Sequence, residues 1–177
     1  MSSGIPNNIE GRWYINGTEV TKAAVDLNTA NTTAIDGTAT NDSAAAGDLG
    51  EYFSASVAQA SAVSISNGAA ANVTSISLTA GDWDVWGNVV FLPANTTSCT
   101  SLNASISTTS AALDATLNRG SMTANTFTGN GGSTPGVTPA SKRISIASTS
   151  TIYLVAFSEF SISTNVAFGN IHARRVR

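Results

Sequence analysis

Two segments constrain this chain more than any others: Leu78-Thr-Ala-Gly-Asp-Trp-Asp-Val-Trp-Gly-Asn-Val-Val-Phe-Leu92 and Thr151-Ile-Tyr-Leu-Val-Ala-Phe-Ser-Glu-Phe160. Each reads as a long β-strand. Side chains alternate across a strand with period two, so Trp83, Val85, Gly87, Val89 and Phe91 share one face of the first segment. Trp86 and Val90 lie on the other, beside Asp84 and Asn88. In the second segment Ile152, Leu154, Ala156 and Phe160 oppose Tyr153, Val155 and Phe157. Antiparallel sheets commonly keep one face polar and wet. Strands that are apolar on both sides are expected to pack one face inside the subunit and the other against a neighbour, which predicts an oligomer.

The strand candidates, these two included, are Tyr52–Val57, Ala62–Ser66, Val73–Leu78, Asp82–Leu92, Leu102–Thr108, Ile144–Ala147, Thr151–Phe160 and Ala167–Val176. They are separated by turn chemistry at Asn67-Gly68, Ala80-Gly81, Pro93-Ala-Asn-Thr and Asn165. That spacing predicts an all-β, antiparallel, jelly-roll-like β-sandwich over residues 51–177. The stretch from Ser110 to Ser141, with Thr128-Gly-Asn-Gly-Gly-Ser-Thr-Pro-Gly-Val-Thr-Pro139, reads as a long irregular insertion, either mobile or a binding surface.

Two further zones precede the head. Residues 1–28 form an expected N-terminal anchoring module. It holds the Asn16-Gly17 turn, then a short helix capped by Thr21 with Ala24, Val25 and Leu27 on its apolar side. Trp13, Tyr14 and Ile15 are either an anchoring patch or a small strand. Residues 29–50 are rich in Thr, Asn, Ala, Asp and Gly and nearly free of large apolar side chains, as in an extended polar neck.

Charge narrows the function classes. Only 11% of the 177 residues are charged, against about 25% in an ordinary soluble domain. The net charge of -3 gives no general nucleic-acid footprint. The basic terminus Ala173-Arg-Arg-Val-Arg177 reads as a last strand with solvated arginines, or as a salt bridge to a neighbouring subunit or acidic partner. Cys99 is alone, so no intrachain disulfide forms, and a buried structural thiol is the default. The start Met-Ser-Ser-Gly-Ile-Pro has no signal-peptide pattern, and no apolar run is long enough to insert into a membrane. Folding in a reducing cytoplasm is the expectation.

Catalytic parts are scarce, and the chain is not expected to be an enzyme or to carry a cofactor or metal. The single histidine, His172, is expected as a satisfied strand residue or a subunit contact rather than a general base. Asp82 and Asp84 share a strand face at ~7 Å, a spacing open to glycoside hydrolysis or calcium binding. Without further acids nearby, Asp82 is expected to cap the Ala80-Gly81 turn and Asp84 to make a polar contact. Asn16, Asn31, Asn41, Asn72, Asn95 and Asn103 each open an Asn-x-Ser/Thr triplet, which chance explains in so Asn- and Thr-rich a chain.

Two pieces resemble known families. Ile15-Asn-Gly-Thr-Glu-Val-Thr-Lys-Ala-Ala-Val-Asp-Leu-Asn28, followed by Ile35-Asp-Gly37, is similar to a module of tailed-phage structural proteins. The pieces Asn72 to Phe91, Thr151 to Ala156 and Ala173 to Arg177 resemble a C-terminal domain of phage and prophage proteins. More distantly, the layout is similar to trimeric jelly rolls of the tumour necrosis factor and complement type. The resemblance implies a virion protein assembled in the bacterial host cytoplasm: a short homotrimeric fibre docked by its N-terminus on a capsid or tail protein. Its outward head would adhere to a host-surface glycan. A capsid decoration or cement protein that binds no receptor is the alternative. The same resemblance places Trp83, Trp86, Val89, Phe91, Tyr153, Val155 and Phe157 in the sandwich core or trimer interface. Trp13, Tyr14, Ile15, Val25 and Leu27 are the expected anchor to the virion.

Overall fold

A computed structural model describes residues 7–9, 12–15, 18–20, 40, 42–115, 119–122, 127–128 and 134–177, with backbone alone at 7–9, 12–15, 18–20, 119–122 and 127–128. The chain divides into two compact units, Met1–Asp42 and Ser43–Arg177.

The first unit contains a three-stranded antiparallel sheet of β1 (Asn7–Ile9), β2 (Arg12–Ile15) and β3 (Thr18–Val20). Ile15 and Thr18 are register partners, so only Asn16 and Gly17 separate β2 from β3. That is the length of a tight hairpin connection, and Asn-Gly is the dipeptide it favours. Trp13, Tyr14 and Ile15 lie in β2, so the strand reading holds for them. The helix expected over Thr21–Leu27, with Val25 and Leu27, lies outside the described residues.

The second unit is an antiparallel β-sandwich, as expected. Its strands are β4 (Tyr52–Val57), β5 (Val63–Ile65), β6 (Ala70–Leu78), β7 (Gly81–Pro93), β8 (Ser98–Ser107), β9 (Arg119–Met122), β10 (Phe127–Thr128), β11 (Gly136–Val137), β12 (Lys142–Ile146), β13 (Ser150–Ser161) and β14 (Asn165–Arg175). One sheet has five strands in the order β10-β8-β13-β6, with β9 also pairing β8. The other has six, in the order β11-β7-β14-β4, with β12 also pairing β7 and β5 pairing β14. The insertion expected as irregular thus contributes three short strands, β9, β10 and β11, to the sheet edges. The segment expected as neck also extends less far than its composition implies. Ser43 belongs to the sandwich unit, the Tyr52 amide donates to Ser43 Oγ, and the Gly50 amide donates to the Arg175 carbonyl.

The period-two pattern explains the core. Trp83, Val85, Val89 and Phe91 of β7 are fully buried between the sheets, with Leu102, Ala104 and Ile106 of β8, Ile152, Leu154 and Ala156 of β13, and Ile171 of β14. Burial of each large side chain contributes about 1.5–3 kcal/mol. Strands β7 and β14 pair in register over their whole shared length without a bulge. Gly169 allows their close approach: it sits at φ +156, and a Cβ there would fall 2.0 Å from the Asn88 carbonyl oxygen.

The C-terminal strand is locked at one end of the sandwich. Arg175 is buried with Glu51, and its Nε donates to Glu51 Oε2 at 2.8 Å. Its other nitrogens donate to the Ala80 carbonyl and to Thr79 Oγ1, and its guanidinium carbon lies 4.3 Å from the centroid of the Trp83 ring. A buried charge is tolerable only when paired and hydrogen-bonded in this way. Gly81 lies beside it at φ +147, a backbone conformation that residues with a side chain rarely adopt. The reading of the tail as solvated arginines therefore fails for Arg175. Inward-facing positions on β14 alternate from Asn165 to Arg175, and the arginine falls on the buried phase.

Candidate functional site

Each sheet has an outer face, and the two are finished differently. On the five-stranded sheet, β8 presents Asn103, Ser105 and Ser107 outward, and β13 presents Tyr153, Val155 and Phe157. Val155 is the register partner of Ser105 on one side and Asn72 on the other. The segment 108–115 is fastened to both flanks. The Ala111 amide donates to Asn72 Oδ1 and Asn72 Nδ2 to Ser110 Oγ, while the Asp114 amide donates to Ser105 Oγ. Between those fastenings the chain crosses Val155, which is fully buried. The far end is tied by an ion pair between Asp114 and Lys142. Tyr153 and Phe157, on either side, are half-buried.

On the six-stranded sheet the outward residues of β7 and β14 from Asp84 to Leu92 and from Val166 to Arg174 are half-buried or exposed. Its cross-strand rows run from Asp84–Arg174 through Trp86–His172 and Asn88–Asn170 to Val90–Phe168 and Leu92–Val166. Apart from the first row, these rows hold no Asp, Glu, Lys or Arg. Tyr52 and Trp86 keep 42% and 36% of their surfaces exposed. With His172 they form an aromatic cluster: ring centroids lie 5.7 Å apart for Trp86–His172, 5.8 Å for Tyr52–His172 and 6.2 Å for Tyr52–Trp86. These separations lie in the favourable range for ring pairs. The Tyr52 hydroxyl hydrogen-bonds His172 Nδ1, and His172 Nε2 lies 3.0 Å from Asn170 Oδ1. Both ring nitrogens are therefore engaged, in keeping with the expected satisfied histidine. These two contacts hold the His172 ring between its two aromatic neighbours.

Asp82 belongs to a different constellation from the one its spacing to Asp84 implied. It does not act as a turn cap. Arg143 Nε donates to its carboxylate at 2.8 and 3.1 Å, Arg143 Nη2 at 2.5 Å, and Arg177 Nε approaches Asp82 Oδ2 at 2.8 Å. The hydrogen bond from Arg143 holds the Asp82 carboxyl below the usual carboxylate range, against the opposing effect of burial, and the Arg177 charge adds to the lowering. Asp84 is exposed on the sheet face. Among the described residues, no group of three or more His, Cys, Asp or Glu side chains is placed to hold a metal ion. Cys99 is fully buried, and burial pushes its thiol pKa up.

The expected core and interface residues therefore separate into three places. Trp83, Val89 and Phe91 are interior. Trp86 is on the open face of the six-stranded sheet, whereas Tyr153, Val155 and Phe157 are on the opposite outer face. Val155 retains no surface for a neighbour. Tyr52 and His172 complete the cluster around Trp86; cross-strand alternation from Tyr52 and His172 alone could have found them, once β4 and β14 were known to be neighbours.

No protein-family model matches the chain, and no curated protein is similar to it. Among solved structures, it is similar to one described as the structure of infectious bursal disease virus Gx strain. That match has a TM-score of 0.43 and 11% identity, and covers 71% of this chain and 32% of the other. A second, described as the structure of infectious bursal disease virus Gt strain, has a TM-score of 0.41 and 10% identity, and covers 97% and 40%. This chain spans between about a third and two fifths of the length of the structures it matches.

Proposed function

We propose that this chain is a structural protein of a bacteriophage virion, a short homotrimeric fibre whose β-sandwich head faces outward. In this reading the N-terminal module docks on a capsid or tail protein, and the head adheres to a host-surface glycan. The observation that carries the reading is the outer face of the six-stranded sheet, on which Trp86 and Tyr52 stay exposed near one end. Monomeric soluble proteins rarely leave such a face uncovered. The resemblance of Ile15–Asn28 and of the Trp83 and Thr151 strands to phage proteins supports the same reading, as does the low content of charge. Adhesion would be multivalent, several weak heads on one particle gaining effective concentration.

A second reading is supported by the bulge-free pairing of β7 and β14, which makes that face continuous. A continuous face suits packing against neighbouring shell subunits, as in a decoration or cement protein. Deletion of the gene separates the two. Loss of adsorption with particles of normal heat stability supports the fibre. Normal adsorption by particles that break open on mild heating supports the cement protein, and no effect on either removes both.

A further inference from the structure

The connection between β13 and β14 carries a backbone anomaly. Ile162 sits at φ +82 and keeps 82% of its surface exposed. A β-branched residue rarely adopts that conformation, and it persists only where the surrounding structure imposes it. The surroundings do so here. The Thr164 carbonyl accepts from the Ala94 amide at 3.0 Å and from Thr97 Oγ1 at 2.6 Å, and the buried Asn165 donates through Nδ2 to Ser158 Oγ at 3.0 Å. An apolar side chain is thus held out in solvent at the end of a clamped hairpin.

Next to Ile162 in the chain, Ser161 lines a solvent-open cavity of about 290 Å³, together with Asn67, Gly68, Thr100, Glu159 and Phe160. That volume lies at the lower edge of the ~300–1,000 Å³ range of ligand pockets and suits one small ring rather than an extended chain. The walls are fixed. Asn67 Oδ1 accepts from the Phe160 amide at 2.8 Å, the Gly68 amide donates to the Ser158 carbonyl at 3.0 Å, and Thr100 Oγ1 donates to the Glu159 carbonyl at 3.3 Å. With its oxygen turned to an amide donor, Asn67 keeps Nδ2 for a donation elsewhere. The Glu159 carboxylate is exposed and makes no hydrogen bond or ion pair among the described residues. The cavity therefore offers carboxylate acceptors, an amide donor and two hydroxyls, with one negative charge and no cation in its wall.

We propose that this cavity is the glycan-binding site of the head and that it takes an uncharged sugar ring. Glu159 accepts from ring hydroxyls, Asn67 Nδ2 donates to a sugar oxygen, and Ile162 gives the C–H face of the ring an apolar contact. The inference rests on the adhesive reading above and narrows it. Saccharides bearing carboxylate, sulfate or phosphate are repelled by Glu159, which has no counter-charge beside it. Position agrees with chemistry. Strand β14 runs from Asn165 near the cavity to Arg175 at the Glu51 lock, so the cavity lies at the end of the sandwich away from residues 43–51, through which the chain continues to its N-terminal module.

The test follows backbone amide shifts of the full chain by NMR during titration with the methyl glycosides of glucose, galactose, mannose and N-acetylglucosamine, and in parallel with glucuronic acid and N-acetylneuraminic acid. At least one neutral glycoside is expected to shift the Asn67, Gly68, Thr100, Glu159 and Ser161 amides saturably, and the two acids to leave them in place. Glu159→Gln, at an exposed position, should weaken that binding by roughly tenfold or more. Ile162→Gly relieves the backbone strain, so its thermal melt should not fall although its binding weakens. Binding unchanged in both variants overturns the site. Shifts confined to Trp86, Tyr52 and their neighbours also overturn it, while leaving the adhesive reading intact. Acids that bind as well as the neutral glycosides overturn the assigned ligand class. No saturable shift with any of these probes overturns both the site and the glycan reading on which it rests.

Discussion

Val155 and Trp86 occupy equivalent situations in the two sheets: each projects outward from the middle of a long central strand, yet one is fully buried and the other is 36% exposed. The difference lies in what the rest of the chain does. Over Val155 a segment held by Ser105 and Asn72 completes the fold. Trp86 makes ring contacts with Tyr52 and His172, and its ring remains at the surface. An apolar outward residue is therefore part of the packed interior on one sheet and remains at the surface on the other. Burial, and not residue type, distinguishes them.

The strongest way to break this contrast is to place a charge at each position. Val155→Asp buries an unpaired carboxylate, and the expected loss of stability is about 3–5 kcal/mol, enough to unfold a domain of ordinary stability. Trp86→Asp, measured by urea denaturation below the association concentration, should cost about 1–2 kcal/mol, less than at Val155, because the ring packs on Tyr52 and His172 but keeps part of its surface in solvent. Equal losses at the two positions would refute the distinction. Next in size is the lock at the end of the sandwich. Glu51→Gln leaves the Arg175 charge buried without its counter-ion, and a loss of about 3 kcal/mol is expected in the same urea experiment.

A smaller effect sharpens the account of the covered face. Ser105→Ala removes the acceptor for the Asp114 amide and should cost about 1–2 kcal/mol. It should also raise hydrogen exchange at Ala111 and Asp114 before exchange increases in β13. Unchanged exchange there would mean that the segment is held by something other than its fastenings. The least effect is expected at the acid end of the open face. Asp82 has a folded-state pKa below its unfolded value, so its pairing with Arg143 contributes stability above the ordinary carboxylate range and loses it as pH falls through the folded value. Thermal melts of the wild type should therefore decline more steeply on acidification below about pH 4 than those of Arg143→Leu. Parallel curves would show that this pair does not govern the acid response.

Much of the fold was legible in residue order because two-residue periodicity is a local property. The alternation Trp83, Val85, Val89, Phe91 predicts a buried strand face without knowledge of what lies across from it. The covering of the second face was not legible. Val155 and Val90 look alike in sequence, and the segment that covers one of them is fastened through Asn72, 38 and 39 positions from Ser110 and Ala111. The Arg175 lock is more remote still, since its counter-ion lies 124 positions away. The composition of the tail gave a surface reading because arginine is rarely buried without a partner, and the partner is brought in only by the closing of β14 against the start of β4. The three short strands of the insertion were hidden for a different reason: Gly, Asn, Ser and Thr dominate it, and the pairing there depends on β7 and β8 as templates rather than on β-propensity.

On the proposed reading, this protein closes one sheet with its own chain and offers the other to a neighbour. An image reconstruction of the assembled particle at side-chain detail tests it most directly. The account predicts Trp86, Tyr52 and His172 against a neighbouring subunit, with segment 108–115 turned away from the contact. Neighbouring subunits packed through the five-stranded sheet, with Trp86 left in solvent, would contradict it.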